Sequence, residues 1–115
     1  MKKAPYTPDV GHIIWLSLDP QQGREQSGRR PFLVLSPRDY NAKTSLAVGV
    51  PITSTRKGYP FEVPLAQARR VKGVVLADQV KSLDWKARNA EFAEEVQQRT
   101  LRDVRTLIVT LLALR

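Results

Sequence analysis

Glycine and proline punctuate the chain as far as Gly73 and are absent after it. Because both residues interrupt regular structure, this distribution predicts short strands joined by turns, followed by a single helix. Residues 12–18 read as a strand between Gly11 and Asp19-Pro20, and Phe32-Leu33-Val34-Leu35 is a continuous apolar run of the buried-strand type. Residues 37–43 form a polar crossover with room for a helical turn, and 46–52 resume a strand. Residues 53–59 read as a hairpin connection turning at Gly58, while 61–63, 73–77 and 80–83 continue the strand pattern. Short strands at such close spacing suggest a small closed or half-closed β-barrel. Beyond the last glycine, Leu101, Val104, Leu107, Ile108, Leu111 and Leu112 recur at three- and four-residue intervals, one apolar stripe of a helix starting near Gln98 or Thr100. The β-branched run Ile108-Val109-Thr110 has mediocre helix propensity, so packing on a barrel face or in a dimer seam has to hold it.

A chain of 115 residues suits one domain with one core. The expected layout is mainly β, with a barrel over about 6–95 and a C-terminal helix over about 98–114. No stretch of about 20 apolar residues exists to span a membrane. The basic start Met1-Lys2-Lys3 has no apolar run behind it, so no signal peptide is expected and a cytoplasmic location is. The lack of cysteine removes disulfides, thiolate nucleophiles and cysteine-based zinc sites.

Charge points to a class of partner. The net charge is +8, which favours a polyanion such as nucleic acid, because each cation near a phosphate releases condensed counterions. Between residues 21 and 60, Arg24, Arg29, Arg30, Arg38, Lys43, Arg56 and Lys57 stand against Glu25 and Asp39, a balance of +5 concentrated mostly in loops.

Three polar segments carry the candidate chemistry. In the first, Gly23 and Gly28 free a loop that bears Glu25 and ends at Arg29, Arg30 and Pro31. A carboxylate and guanidinium so placed read either as an acid–base and charge-clamping pair or as an exposed ion pair worth about 0–1 kcal/mol. In the second, the hydroxyls of Thr53, Ser54 and Thr55 and the cations Arg56 and Lys57 suit phosphate oxygens, with Tyr59 and Phe61 able to stack on unpaired bases. The alternative there is a self-satisfied hairpin, and for Phe61 a place in the core is preferred. In the third, Asp78 and Gln79 interrupt an apolar run, so each is either hydrogen-bonded in place or aimed at a ligand.

Taken together, these residues resemble the MazF/PemK toxin family in register. The likeness rests on Gly23, Glu25-Gln26, Gly28, Arg30-Pro31, Val34-Leu35-Ser36-Pro37, Tyr40-Asn41, Lys43-Thr44, Val50-Pro51, Thr53, Lys57-Gly58-Tyr59-Pro60-Phe61-Glu62-Val63 and Leu76-Ala77-Asp78-Gln79-Val80-Lys81-Ser82. It runs from about Tyr6 to Trp85, and the remainder matches in character as an amphipathic helix. The resemblance implies an SH3-like barrel of the CcdB/PemK type, a homodimer, and an endoribonuclease cutting single-stranded RNA at a short sequence. It also implies inhibition by a cognate, acidic MazE-like antitoxin, and no metal or other cofactor. By position it makes Glu25, Arg30 and Thr53 the catalytic candidates, and Asn41, Lys57, Asp78, Gln79 and Lys81 the RNA contacts, which Arg29, Arg56 and Tyr59 join on their chemistry. Arg29 and Ser17 depart from a relative that has histidine and aspartate there, which bears on the RNA sequence recognised rather than on the reaction.

The implied chemistry needs no metal: the RNA 2′-OH attacks the adjacent phosphorus, leaving a 2′,3′-cyclic phosphate and a 5′-hydroxyl. His12 is the only histidine and sits at a strand start, where a structural role is expected. A carboxylate, Glu25, is therefore the base, with Arg30 stabilising the phosphorane and Thr53 orienting the phosphate. Two other readings remain at this point, a non-catalytic RNA-binding barrel and a CcdB-like gyrase poison. The second lacks the C-terminal tryptophan that such poisons use, since the chain ends Leu111-Leu112-Ala113-Leu114-Arg115.

Overall fold

The computed structural model of the chain describes residues 5–17, 28–65 and 70–114. Its elements run β1 (His12–Ser17), β2 (Arg29–Val34), α1 (Arg38–Thr44), β3 (Leu46–Thr53), β4 (Glu62–Pro64), β5 (Val74–Leu76), β6 (Lys81–Asp84), β7 (Glu91–Glu95) and α2 (Gln98–Leu112). The mainly β architecture with a C-terminal helix is as the sequence predicts, and the polar crossover at 37–43 is the short helix α1. Strand β7 is unannounced in the sequence, because Glu91, Glu94 and Glu95 mask the alternation and Ala93 is its one buried residue.

Alternation along β2 explains its unbroken apolar run. Leu33 is fully buried in a cluster with Ile13, Val50, Val75 and Val104, whereas Phe32 and Val34 join a second cluster with Ile14, Leu16, Ala47 and Trp85. Successive side chains of a strand point to opposite faces, so two clusters mean a sheet covered on both sides.

The strand order is β4-β5-β3-β2-β1-β7, with β6 also pairing β3. Every pairing is antiparallel. Strand β3 changes partner along its length: residues Leu46 to Gly49 pair with β6, and Ile52 and Thr53 pair with β5. Pro51, which lacks an N–H, sits at the changeover. Because β5 lies between β3 and β4, residues 54–61 are a crossover and not the hairpin connection expected from the sequence. The path is open, and among the described residues its end strands β4 and β7 do not pair. Apolar packing bridges that gap: Val63 of β4, Ala93 of β7 and Val104 of α2 share one cluster.

Helix α2 uses only the first half of its stripe. Leu101 and Val104 are buried and Leu107 and Ile108 half-buried, but Val109, Leu111 and Leu112 stay exposed. Among the described residues no helix is long and apolar enough to cross a membrane.

At the other side of β1, His12 is structural, as the sequence predicts. Its Nδ1 accepts a hydrogen bond from the Tyr6 hydroxyl (2.7 Å), and its ring stacks on Tyr6 and meets the edge of Phe92. Burial holds its pKa below the ordinary 6.5, outweighing the nearby Asp9 carboxylate, which favours the cation. The unfolded chain therefore binds a proton more readily than the native one. Stability from this group is present above about pH 6.5 and is lost as the pH falls below that value. Denaturant titrations should show this loss below neutrality, and His12→Gln should flatten it; an equal slope in the variant would assign the effect to other groups.

Candidate active site

Strand pairing sets Ser17 opposite Arg29 and Leu16 opposite Arg30. Adjacent strand residues face opposite ways, so the two arginines separate at once. The Arg29 guanidinium is engaged within the protein. Nη1 donates to Ser17 Oγ (2.7 Å) and to the Arg88 carbonyl (3.3 Å), and Nη2 to the Asn89 carbonyl (2.7 Å) and the Glu91 carboxylate (3.0 Å). Arg30 emerges exposed on the opposite face, beside Thr53, Gln79 and Lys81 in a cleft of about 220 Å³.

Thr53 ends β3. The β2–β3 register pairs Phe32 with Pro51 and Leu33 with Val50, and continuing it brings Thr53 across from Arg30. Gly73 lies against Thr53 with φ at +126°, and a Cβ there would strike the Thr53 carbonyl. Only glycine tolerates both that conformation and that approach.

A second cleft of about 390 Å³ shares Thr53, Leu76 and Gln79 with the first and adds Lys57, Tyr59 and Asp78, so the two form one groove. Asp78 and Gln79 interrupt the apolar run because they belong to a turn, closed by the Gln79 N–H donating to the Leu76 carbonyl (3.0 Å). That turn leaves both side chains exposed at the groove rim. Tyr59 is 61% exposed, a free aromatic face at the groove wall. Phe61 is half-buried in the same wall instead of joining the core. Arg30, Lys57 and Lys81 thus share the groove with two carboxylates, Asp78 and Glu62. Cations and a hydroxyl beside an open aromatic ring can hold a phosphodiester and stack a base.

The sequence profile of the PemK-like, MazF-like toxins of type II toxin–antitoxin systems matches residues 9–112. The chain belongs to that family. The match extends through α2, beyond the segment that carries the resemblance in the sequence. The endoribonuclease toxin MazF of Escherichia coli strain K12 is 55% identical over 85 residues, covering 74% of this chain and 76% of its own length. The endoribonuclease PemK of Escherichia coli is 39% identical over 104 residues, covering 86% and 78% respectively. A solved MazE–MazF structure from Deinococcus radiodurans superimposes with a TM-score of 0.91 at 50% identity, covering 96% of this chain and 100% of that one. The family fold expected from the sequence is therefore the one observed, with its sheet left open.

Seven of the candidate residues meet in the groove: Arg30, Thr53, Lys57, Tyr59, Asp78, Gln79 and Lys81. Asn41 does not. It is fully buried, with Nδ2 donating to the carbonyls of Pro8 (2.9 Å) and Ser36 (3.0 Å) and Oδ1 accepting from Ser36 Oγ (2.6 Å). A side chain so enclosed and satisfied presents nothing to RNA, and its place is structural. Arg29 likewise ties β1, β2 and the turn before β7 together rather than facing the groove. Arg56 is exposed on the crossover loop but lines neither cleft. Glu25, with residues 18–27, lies outside the described residues. Glu62 carries part of the family likeness but is not among the site candidates, since a strand glutamate beside an apolar Val63 looks like an ordinary solvated position.

Proposed function

We propose that this toxin cleaves single-stranded RNA at a short sequence without a metal ion, and that a cognate acidic antitoxin silences it by covering the same groove. The observation that carries the reading is Arg30 and Thr53 meeting in one groove with Lys57 and Lys81. Relatives named endoribonucleases and a solved MazE–MazF complex support it. In the proposed reaction Glu25 removes the 2′-OH proton and the 2′-oxygen attacks phosphorus. The P–O5′ bond breaks, and the departing 5′-oxygen takes up a proton from water. Arg30 meets the charge growing on the phosphoryl oxygens, where its planar fork matches two of them. Thr53 orients the phosphate, and Lys57 and Lys81 hold the flanking backbone. His12 is unsuited to the base, because its Nδ1 is already an acceptor inside the aromatic cluster.

The exposed Val109, Leu111 and Leu112 of α2 support a homodimer, in which a second copy buries them. An RNA target implies work in the cytoplasm, by the chain as one toxin domain.

The test is incubation with mixed single-stranded RNA in excess EDTA, followed by end-group analysis. Cleavage should persist and yield 2′,3′-cyclic phosphate and 5′-hydroxyl ends. Strict dependence on added Mg²⁺, or 3′-hydroxyl ends, would point to another reaction, and binding without cleavage to a non-catalytic RNA-binding barrel. A second measurement concerns Lys57. Lys57→Ala should weaken RNA binding across sequences and lower the log–log salt slope by about one. An unchanged slope takes Lys57 off the phosphate path.

A further inference from the structure

We infer that Glu62 is a positioning residue for RNA binding, a conclusion that rests on the reading of this groove as the RNA site. Its carboxylate lies in the groove wall, an unfavourable place for a negative charge beside a polyanion. The hydrogen bonds give the reason for its presence. Oε1 accepts both the Gly58 N–H (2.9 Å) and the Lys57 N–H (3.2 Å), and Oε2 also accepts the latter (3.0 Å), so one side chain, and even one of its oxygens, holds two successive amides of the crossover loop. Gly58 has φ at +83°, a left-handed turn that brings the following chain back so that Glu62 can reach those two amides. The Glu62 N–H in turn donates to the Tyr59 carbonyl (3.1 Å), closing the loop on itself.

Glu62 is also anchored from below. It sits on β4 directly across from Leu76 of β5, one of the three residues common to both parts of the groove. The carboxylate therefore ties the loop that carries Lys57 and Tyr59 to the strands that form the groove floor. A loop of this composition would otherwise sample many arrangements, and ordering it in advance reduces the entropic cost of binding. On this account the acceptor oxygens of Glu62 are what RNA binding requires, and its charge is a local disadvantage.

Glu62→Gln and Glu62→Ala separate the two properties, since both remove the same charge but only glutamine keeps an acceptor. The probe is a mixed-sequence 2′-O-methyl oligoribonucleotide, which cannot be cut, with cleavage of unmodified RNA measured alongside. Glu62→Ala should weaken binding and raise KM roughly ten-fold with the loss absent from kcat. Glu62→Gln should bind the oligonucleotide at least as tightly as the wild type. Amide exchange at Lys57 and Gly58 should accelerate in the alanine variant and not in the glutamine one. Gly58→Ala, whose side chain would meet nothing within 4 Å, strains only the φ angle and should raise KM in the same way. Tighter binding by both Glu62 variants would reduce Glu62 to an electrostatic nuisance, and equal weakening by both would make its charge the requirement. Either result overturns the proposal, as would unchanged binding in both. A wild-type chain that neither binds nor cuts RNA removes the RNA reading itself, while the exchange data still decide whether Glu62 orders the loop.

Discussion

Arg30→Ala is expected to reduce RNA cleavage by about three orders of magnitude, the scale set by removing a preorganised charge stabiliser from a phosphoryl or acyl transfer site. The same substitution should leave the fold intact. Arg30 is exposed, and among the described residues its side chain makes no hydrogen bond or ion pair. Surface changes of this kind usually fall within about 0.5 kcal/mol of neutral. Cleavage rate and thermal midpoint, measured on the same preparation, check both halves of the expectation. A folded Arg30→Ala protein with wild-type rate would sink the mechanism. Lysine is a poor substitute, since it supplies charge without the planar fork.

Asn41→Ala should show the reverse pattern. The side chain is fully buried and makes three hydrogen bonds, to Pro8, to the Ser36 carbonyl and from the Ser36 hydroxyl. Its removal leaves buried carbonyls without donors and a small cavity beneath α1. Each unsatisfied group costs about 1–3 kcal/mol, so a total loss of about 3 kcal/mol is expected. In a chain of this size that is a fall of roughly 10–20 °C in Tm. Damage should spread beyond α1. The Asn41 backbone carbonyl accepts the Trp85 Nε1–H (3.0 Å), and Ser36 Oγ accepts the Val48 N–H (2.9 Å), so the site joins three parts of the chain. Below the lowered Tm, the folded fraction should cut RNA at close to the wild-type rate. A variant of unchanged stability but weakened RNA binding would restore Asn41 to the RNA surface.

These two residues also show what can be read from a sequence and what cannot. Arg30 was legible as a candidate because the family register singles it out from Arg29, and the strand pairing then places the two on opposite faces. Asn41 was not: the family register offers it as an RNA contact, whereas its burial depends on Pro8 and Trp85, each more than 30 residues away. The same holds for Arg29, whose partners Arg88, Asn89 and Glu91 lie about 60 residues on. Glu62 stands inside a family motif, but nothing in the sequence marks its role, because its bonds to Lys57 and Gly58 exist only once the crossover loop has closed.

The sequence by itself determined the class of fold, the family and seven of the residues that line the groove. The distribution of glycine and proline, the 3.6-residue stripe of α2 and the motif spacings are local properties of the chain, so they survive without coordinates. Tertiary structure alone decided that, among the described residues, the sheet stays open, with α2 packing where no strand pairing joins β4 and β7. It also decided which cations line the groove and which are tied up within the protein. That choice is made by burial and by hydrogen bonds between residues far apart in sequence, and no local pattern encodes those.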